Sequence, residues 1–378
     1  MGLEPISSIV SQKPCMMQEL VSLPEVIIER IRREGPLSFR DFMEMALYYP
    51  DLGYYMSSFP KLGEGGDFYT SGYLTGLFGD LLASQLEDMW RHLGRPSFTV
   101  VEYGAGTGLL CRDILSRLKE RGEMYEKLNY FIIEKSGAMR DRERALLPNK
   151  VQWRETIGEI GPLTGCVFSN ELVDNFSVHQ VIMADELMEI CVKYDNGFGE
   201  LLRPAGDALK EYLSCLGVQL PRGYRAEINL EATQWIEEVG TALERGWVMT
   251  IDYGYSAPAL YSRSSGTLAC YHRHRVHHCP YMFIGEQDIT SHVNFTALDR
   301  WGRRQGLEVC GYTSQGHFLQ GLGLTQRLRE LEEKGIDAID RLRLRVFLAE
   351  MGKKFKVLIQ HKGVGKAPLL GMQFSALP

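Results

Sequence analysis

The chain has 378 residues, of which 44% are hydrophobic, 24% charged and 10% aromatic, a composition that excludes disordered, collagen-like and coiled-coil proteins. Its length fits two domains, or one large domain with insertions. Lys and Arg number 42 against 48 Asp and Glu, a net charge of −6 that makes nucleic acid a poor partner, and no apolar run is long enough for membrane insertion.

The first 20 residues hold Lys13, two glutamates and no arginine, unlike a secretory signal or an Arg-rich transit peptide. Eight scattered cysteines form no C-x-x-C pair, so free thiols in a reducing, cytoplasmic setting are expected. Residues 24–34 place Val26, Ile27 and Ile31 on one helical face, and Gly35-Pro36 ends that helix. Ser38 reads as the N-cap of the next, with Asp41 three residues on. Residues 50–76 are glycine-rich and too long for an idle loop. A helix over about 77–92 follows.

Phe98–Tyr103 then reads as a buried strand, followed by Gly104-Ala-Gly106-Thr-Gly108 and an amphipathic helix. Further strands are expected at 130–134, 151–153, 165–170 and 247–252, with 307–312 and 355–361 as the last two. Strands alternating with helices predict an α/β parallel sheet. Strand-like residues 188–194 and a helix near 230–245 interrupt that rhythm. The expected domains are therefore an N-terminal helical segment with the glycine-rich stretch over 1–95, a first part of the core over 96–176, an inserted subdomain over 177–245, and a second part of the core over 246–378 with a loop insertion at 255–300.

The sequence Val100-Val-Glu102-Tyr-Gly104-Ala-Gly106-Thr-Gly108 carries the strongest chemical signal. A strand ending in an acidic residue enters a glycine turn whose backbone can approach a ligand closely. The dinucleotide fingerprint is G-x-G-x-x-G, and here Leu109 stands where its last glycine belongs. The G-x-G-x-G form is that of S-adenosylmethionine (SAM) methyltransferases. Glu134, at the next strand end, can accept hydrogen bonds from both ribose hydroxyls, a feature that suits SAM and NAD equally. Trp153 can pack on adenine or in the core. Asn170, Glu171 and Asp174 follow a strand end, where an open α/β sheet places its ligands. They can orient a nitrogen nucleophile, with Glu171 and Asp174 gripping a guanidinium, or Asn170 can cap a helix. His272, His274, His277, His278 and Cys279 lack zinc-finger spacing and carry Arg273 and Arg275, so a basic, mobile loop over the site is expected rather than a metal centre. His292 is either a general base or a core histidine satisfied by Asp288.

These residues resemble the MidA-like SAM-dependent methyltransferases in order along most of the chain. The matching stretches are Tyr48-Tyr-Pro-Asp-Leu-Gly-Tyr-Tyr55, Gly66-Asp67-Phe68-Tyr-Thr70, Glu102 to Gly108, Ser169-Asn-Glu-Leu-Val-Asp174, Ile251-Asp-Tyr-Gly254 and Asp288-Ile-Thr-Ser-His-Val-Asn-Phe295. The resemblance implies a Rossmann-like SAM methyltransferase core with an N-terminal helical segment and an inserted subdomain. It implies that Gly104, Gly106, Gly108 and Glu102 cradle the methionine part, that Glu134 holds the ribose, and that Gly66, Asp67, Phe68 and Thr70 close over the cofactor. It also implies arginine N-methylation of a protein substrate, with a respiratory complex subunit among the candidates. Three stretches depart from the family. Ser71-Gly72-Tyr73 replaces Ser-Pro-Glu, Asn175-Phe176-Ser177 replaces Ala-Leu-Pro, and Cys279-Pro280 replaces Asp-Pro. A non-catalytic SAM-binding assembly protein, a small-molecule methyltransferase and an NAD-dependent oxidoreductase are the competing readings.

Overall fold

The computed structural model describes residues 22–57, 72–333, 335, 352–366 and 368–375. Eight strands build the main sheet, seven of them side by side as β1 (Phe98–Tyr103), β2 (Leu128–Ile133), β3 (Val151–Arg154), β4 (Leu163–Asn170), β5 (Leu243–Tyr255), β6 (Glu308–Ser314) and β7 (Phe355–Lys362), with the short strand Val293–Asn294 pairing parallel to the end of β5. Their spatial order is β3-β2-β1-β4-β5-β7-β6. Only β7 runs antiparallel to its neighbours on this path. The chain moves outward from β1 to β3 and then returns across β1 to β4. That reversal opens a crevice outside the carboxyl ends of β1 and β4, where α/β sheets bind ligands. The expected Rossmann-like methyltransferase core is thus present, β1 to β7 each within a few residues of the expected place.

Alternate strand residues face opposite sides, so two helical layers cover the sheet. On one side α3 (Gly72–His92) and α4 (Leu109–Arg121) bury Leu81, Leu86, Ile114 and Leu115 against Phe98, Val100 and Trp247. On the other, helices Leu230–Ala242 and Phe295–Arg304 bury Trp235, Val239 and Leu298 against Val101, Val167 and Val248. Helix α3 starts at Gly72, five residues ahead of the expected start. Its glycines weaken local propensity, but burial of the helix farther along sets its extent.

The N-terminal helices α1 (Leu23–Glu34) and α2 (Phe39–Tyr48) form where the apolar spacing predicts, and Ser38 Oγ accepts the Asp41 N–H at 3.0 Å as its N-cap. They do not pack on the main sheet. Ile27, Ile31, Phe42 and Met43 bury themselves against Val178 and Val192 and against Leu268, Cys270 and Ile289. Val192 belongs to a smaller antiparallel sheet built from Leu37–Ser38, His179–Met183, Leu187–Tyr194, Phe198–Pro204 and Arg225–Ile228. The segment expected to be a basic loop carries strands instead. Strand Ala269–His272 pairs with Arg275–His277 on one side and Asp288–Thr290 on the other. Burial of Leu268, Cys270 and Ile289 under α2 explains why it holds a fixed shape.

Candidate cofactor and acceptor site

The turn after β1 is built for close approach. Gly104, Gly106 and Gly108 all adopt left-handed backbone, with φ of +67, +57 and +75. A Cβ at Gly104 would lie 2.7 Å from Leu172 Cδ1. Beneath the turn, Glu102 is buried and accepts the Tyr130 hydroxyl at 2.7 Å. Burial pushes its carboxyl up to about 7. At the end of β2, Glu134 Oε1 accepts the Ser136 N–H at 2.7 Å. Burial raises the Glu134 carboxyl, and the N–H groups of Ser136 and Gly106 pull it back. Trp153 does not face this space. Its indole N–H donates to Glu143 at 2.6 Å and its ring packs on the core, so the core alternative holds for it. Gly66, Asp67, Phe68 and Thr70 lie outside the described residues.

Beyond β4, no helix follows Asn170, which removes the capping alternative. A single 3-10 turn, Val173–Asn175, follows instead, and Leu172 is its N-cap. The turn is organised by Asp252, fully buried near the end of β5. Its Oδ2 accepts the N–H groups of Leu172, Val173 and Asp174 at 3.2, 2.9 and 3.3 Å, and its Oδ1 accepts that of Tyr253 at 2.9 Å. Successive N–H groups converging on one carboxylate form an anion nest. Glu171 pays for this curl with φ of +53, unusual for a side-chain-bearing residue. Glu171 is exposed, its carboxyl lines the cavity, and the surrounding walls raise it while the Asn170 amide pulls it back. Asp174 is pushed well above the carboxylate range, first by burial and then by Asp252 and Asp288. The Tyr253 hydroxyl pulls the Asp174 carboxyl back down, and Asn170 Oδ1 is enclosed among the described residues with no donor.

The opposite wall comes from α2, the turn after it and the hairpin module. Tyr55 donates to Asp288 Oδ1 at 2.9 Å, and the Asn175 amide donates to the same oxygen at 3.0 Å. Tyr48 stacks on Tyr55 with ring centroids 5.6 Å apart and donates to the Asn175 carbonyl at 3.2 Å. His292 lies edge-on to Tyr253 at 5.1 Å, and its enclosed Nδ1 has no partner. Burial, with Arg263 and Lys354, lowers its pKa to about 4, so it is neutral at physiological pH. The clustered imidazoles are engaged locally. His278 Nδ1 lies 2.9 Å from the Leu268 carbonyl, and His272 stacks on Phe283 at 3.9 Å. Among the described residues no three His, Cys, Asp or Glu side chains are grouped to hold a metal ion.

All these walls enclose one cavity of about 940 Å³, which brings together Glu102, Gly104, Gly106, Glu134, Asn170, Glu171 and Asp174. Gly108 stands behind it as the N-cap of α4. Sequence reasoning singled out no role for Asp252, Tyr55 or Tyr253. The signal for Asp252 was present, since it nears a strand end at the same sheet edge as Glu102, Glu134 and Asn170. The cavity fits SAM in two ways. The backbone of Gly104 and Gly106 lines the cavity bare of side chain, and the Glu134 carboxylate stands at the next strand end for a ribose.

Residues 81–313 match the family model described as "Putative S-adenosyl-L-methionine-dependent methyltransferase". The chain belongs to this family. Among its curated relatives, the Drosophila melanogaster "Protein arginine methyltransferase NDUFAF7 homolog, mitochondrial" is 26% identical, covering 92% of this chain and 86% of the relative. The Xenopus tropicalis "Protein arginine methyltransferase NDUFAF7, mitochondrial" is 25% identical, covering 87% of this chain and 83% of the relative. A solved structure from Burkholderia thailandensis, bound to S-adenosyl-homocysteine, superposes with a TM-score of 0.81 at 32% identity, covering 93% of this chain and 95% of that one. The protein is a SAM-dependent methyltransferase, and the NAD reading falls. The cytoplasmic expectation falls too, because these curated relatives are named as mitochondrial proteins. No helix among the described residues is long and apolar enough to cross a membrane.

Proposed function

We propose that this methyltransferase transfers methyl groups to an arginine side chain of a protein substrate. The observation that carries the reading is the grouping of the Asn170 amide, the Glu171 carboxylate and the buried Asp174 carboxyl on one wall of the cavity. A guanidinium offers five N–H donors in a planar fork and keeps its proton in water. The buried Asp174 carboxyl, held above its ordinary range, gains from such a cation, because it restores the ionised form that burial resists. The tyrosines of the wall add ring faces on which a guanidinium can stack. The names of the curated relatives support the same substrate class.

In this reading Glu102 and the glycine turn hold the methionine part of the cofactor, and Glu134 holds its ribose. SAM, when bound, supplies an electrophilic methyl group on a sulfonium. Asn170, Glu171 and Asp174 fix one guanidinium nitrogen in line with that methyl, and the Glu171 carboxylate takes the N–H proton that this nitrogen sheds as its bond to the methyl forms and the sulfur–methyl bond breaks. Asp252 keeps the Glu171–Asp174 turn in shape without touching the acceptor. The test supplies purified protein with deuterated-methyl SAM and a mitochondrial protein extract, and locates the label by mass spectrometry. Label on arginine that Glu171→Ala abolishes, with S-adenosyl-homocysteine still bound, is the expected result. Label confined to lysine or to small molecules would refute it.

A further inference from the structure

The carboxylate that stands ready for the ribose belongs to a stretch tied twice to the acceptor wall. Glu134, Lys135 and Ser136 follow the end of β2 in succession, and all three line the cavity. The Ser136 N–H donates to Glu134 Oε1 at 2.7 Å, which holds the carboxylate and the following peptide as one unit. The buried Ser136 hydroxyl donates in turn to the Tyr55 carbonyl at 2.8 Å. Lys135 makes the second tie. Its ammonium lies 5.0 Å from the centre of the Tyr48 ring, within cation–π range, and pairs with Glu231 Oε1 at 3.1 Å. The other Glu231 oxygen accepts the Ser177 N–H at 3.3 Å.

Both ties end on groups that shape the acceptor half. Tyr55 donates to Asp288, Tyr48 donates to the Asn175 carbonyl, and Asn175 closes the turn that carries Asp174. Ser136 and Tyr55 are 81 positions apart in sequence, and Lys135 and Glu231 are 96 apart, so the ties join parts of the chain that nothing local holds together. A peptide unit is planar, so fixing the direction of the Ser136 N–H fixes the plane between residues 135 and 136, from which both side chains start. Ribose hydroxyls donating to Glu134 would fix its carboxylate, and through it that N–H. A ligand that orders one end of such an assembly lessens what a second ligand must order, and the effect is reciprocal.

We propose that Lys135 and Ser136 are positioning residues that couple the two halves of the site. Cofactor held on Glu134 sets the wall of Tyr48 and Tyr55, and with it Asp288 and Asn175, before the acceptor enters. Neither residue acts on the reacting atoms. The inference rests on the reading of Glu134 as the ribose ligand, and it adds an order of events that this reading does not contain: cofactor first, acceptor second.

The test is amide hydrogen exchange of the full-length protein, read by mass spectrometry with and without saturating S-adenosyl-homocysteine and with no acceptor present. The amides of Tyr54 and Tyr55, which donate to the Ala46 and Leu47 carbonyls at 2.9 Å, report the wall. In the wild type the ligand should slow their exchange at least about fivefold, the low end of typical coupling between linked sites. Ser136→Ala and Lys135→Met should each keep S-adenosyl-homocysteine affinity within about threefold by calorimetry yet lose most of that slowing, since the Ser136 N–H remains in both. Ser136→Thr keeps the hydroxyl and should restore it. Ser136 also caps the helix Gly137–Leu146, accepting the Met139 N–H at 3.4 Å, so exchange over 137–146 is read in the same experiment. A change confined to that helix, slowing at Tyr54 and Tyr55 that both variants retain, or no slowing in the wild type would each overturn the coupling. Glu134→Ala separates the reading beneath it. Affinity equal to wild type there would remove Glu134 as the ribose ligand, and the exchange comparison would still decide whether the two ties transmit cofactor binding.

Discussion

Replacing Asp252 by alanine tests how the acceptor half of the site is held together. The side chain is fully buried, and its Oδ2 alone satisfies three successive N–H groups, those of Leu172, Val173 and Asp174. Each buried donor left without a partner costs about 1–3 kcal/mol. Three of them cost about 3 kcal/mol at the low end, which applies because the adjoining cavity can admit water. The turn relieves that cost by rearranging, and Glu171, whose backbone is already left-handed, moves with it. A loss of about 3 kcal/mol in the positioned state is roughly a hundredfold in rate. Methyl transfer by Asp252→Ala should therefore fall about a hundredfold in single-turnover assays. S-adenosyl-homocysteine binding, proposed to rest on the ends of β1 and β2, should change less than about threefold. Asp252→Asn keeps an accepting oxygen and should lose less. An alanine variant that transfers at the wild-type rate would mean that the nest does not position Glu171 and Asp174.

Two further perturbations address the cofactor half. Gly104→Ala forces a side chain into left-handed backbone 2.7 Å from Leu172 Cδ1, and should weaken S-adenosyl-homocysteine binding at least about tenfold by calorimetry. Gly94→Ala has a similar φ of +83 and nothing within 4 Å, so it should cost stability alone; equal binding losses in the two would refute the close-approach argument. Glu143, buried against Trp153, has its carboxyl raised from 4.5 to about 8, chiefly by burial. The folded state therefore keeps a proton that the unfolded chain releases, and that contribution is full below about 4.5 and lost as the pH rises through about 8. Thermal melts from pH 5 to 9 should show wild type losing stability relative to Glu143→Gln across that window, and parallel curves would contradict the assignment.

The main sheet was legible because each of its strands is a short apolar run beside a turn or helix signal, and local pattern suffices for such elements. The G-x-G-x-G turn was legible for a related reason: all three glycines are required by the backbone they adopt, so the chemistry is written in consecutive residues. The acceptor wall was not. Tyr55 and Asp288 meet across 233 positions of sequence, and Asn175 and Asp288 across 113. No local spacing reports such contacts. The hairpin module misled for a physical reason as well. Its histidines and arginines suggest a solvated loop, whereas its order comes from Leu268, Cys270 and Ile289, which pack beneath α2.

The departure at Asn175-Phe176-Ser177 gains a meaning from these contacts. A small and apolar Ala-Leu-Pro, as in the resembling family, has no side-chain donor to offer. Here the Asn175 amide reaches Asp288, and the Ser177 hydroxyl donates to Glu44 of α2 at 2.9 Å. Phe176 meets Trp235 edge-on at 6.1 Å, on the helix that covers the other face of the sheet. The three residues therefore tie the Asp174 turn to the hairpin module, to the N-terminal helices and to the sheet's covering helix at once. Asp288 also binds Tyr55, so its position is fixed from two sides before any acceptor arrives. Fixed polar groups cost no reorganisation when charge shifts during transfer. The departure thus adds polar ties around the acceptor end while leaving the glycine turn and Glu134 untouched.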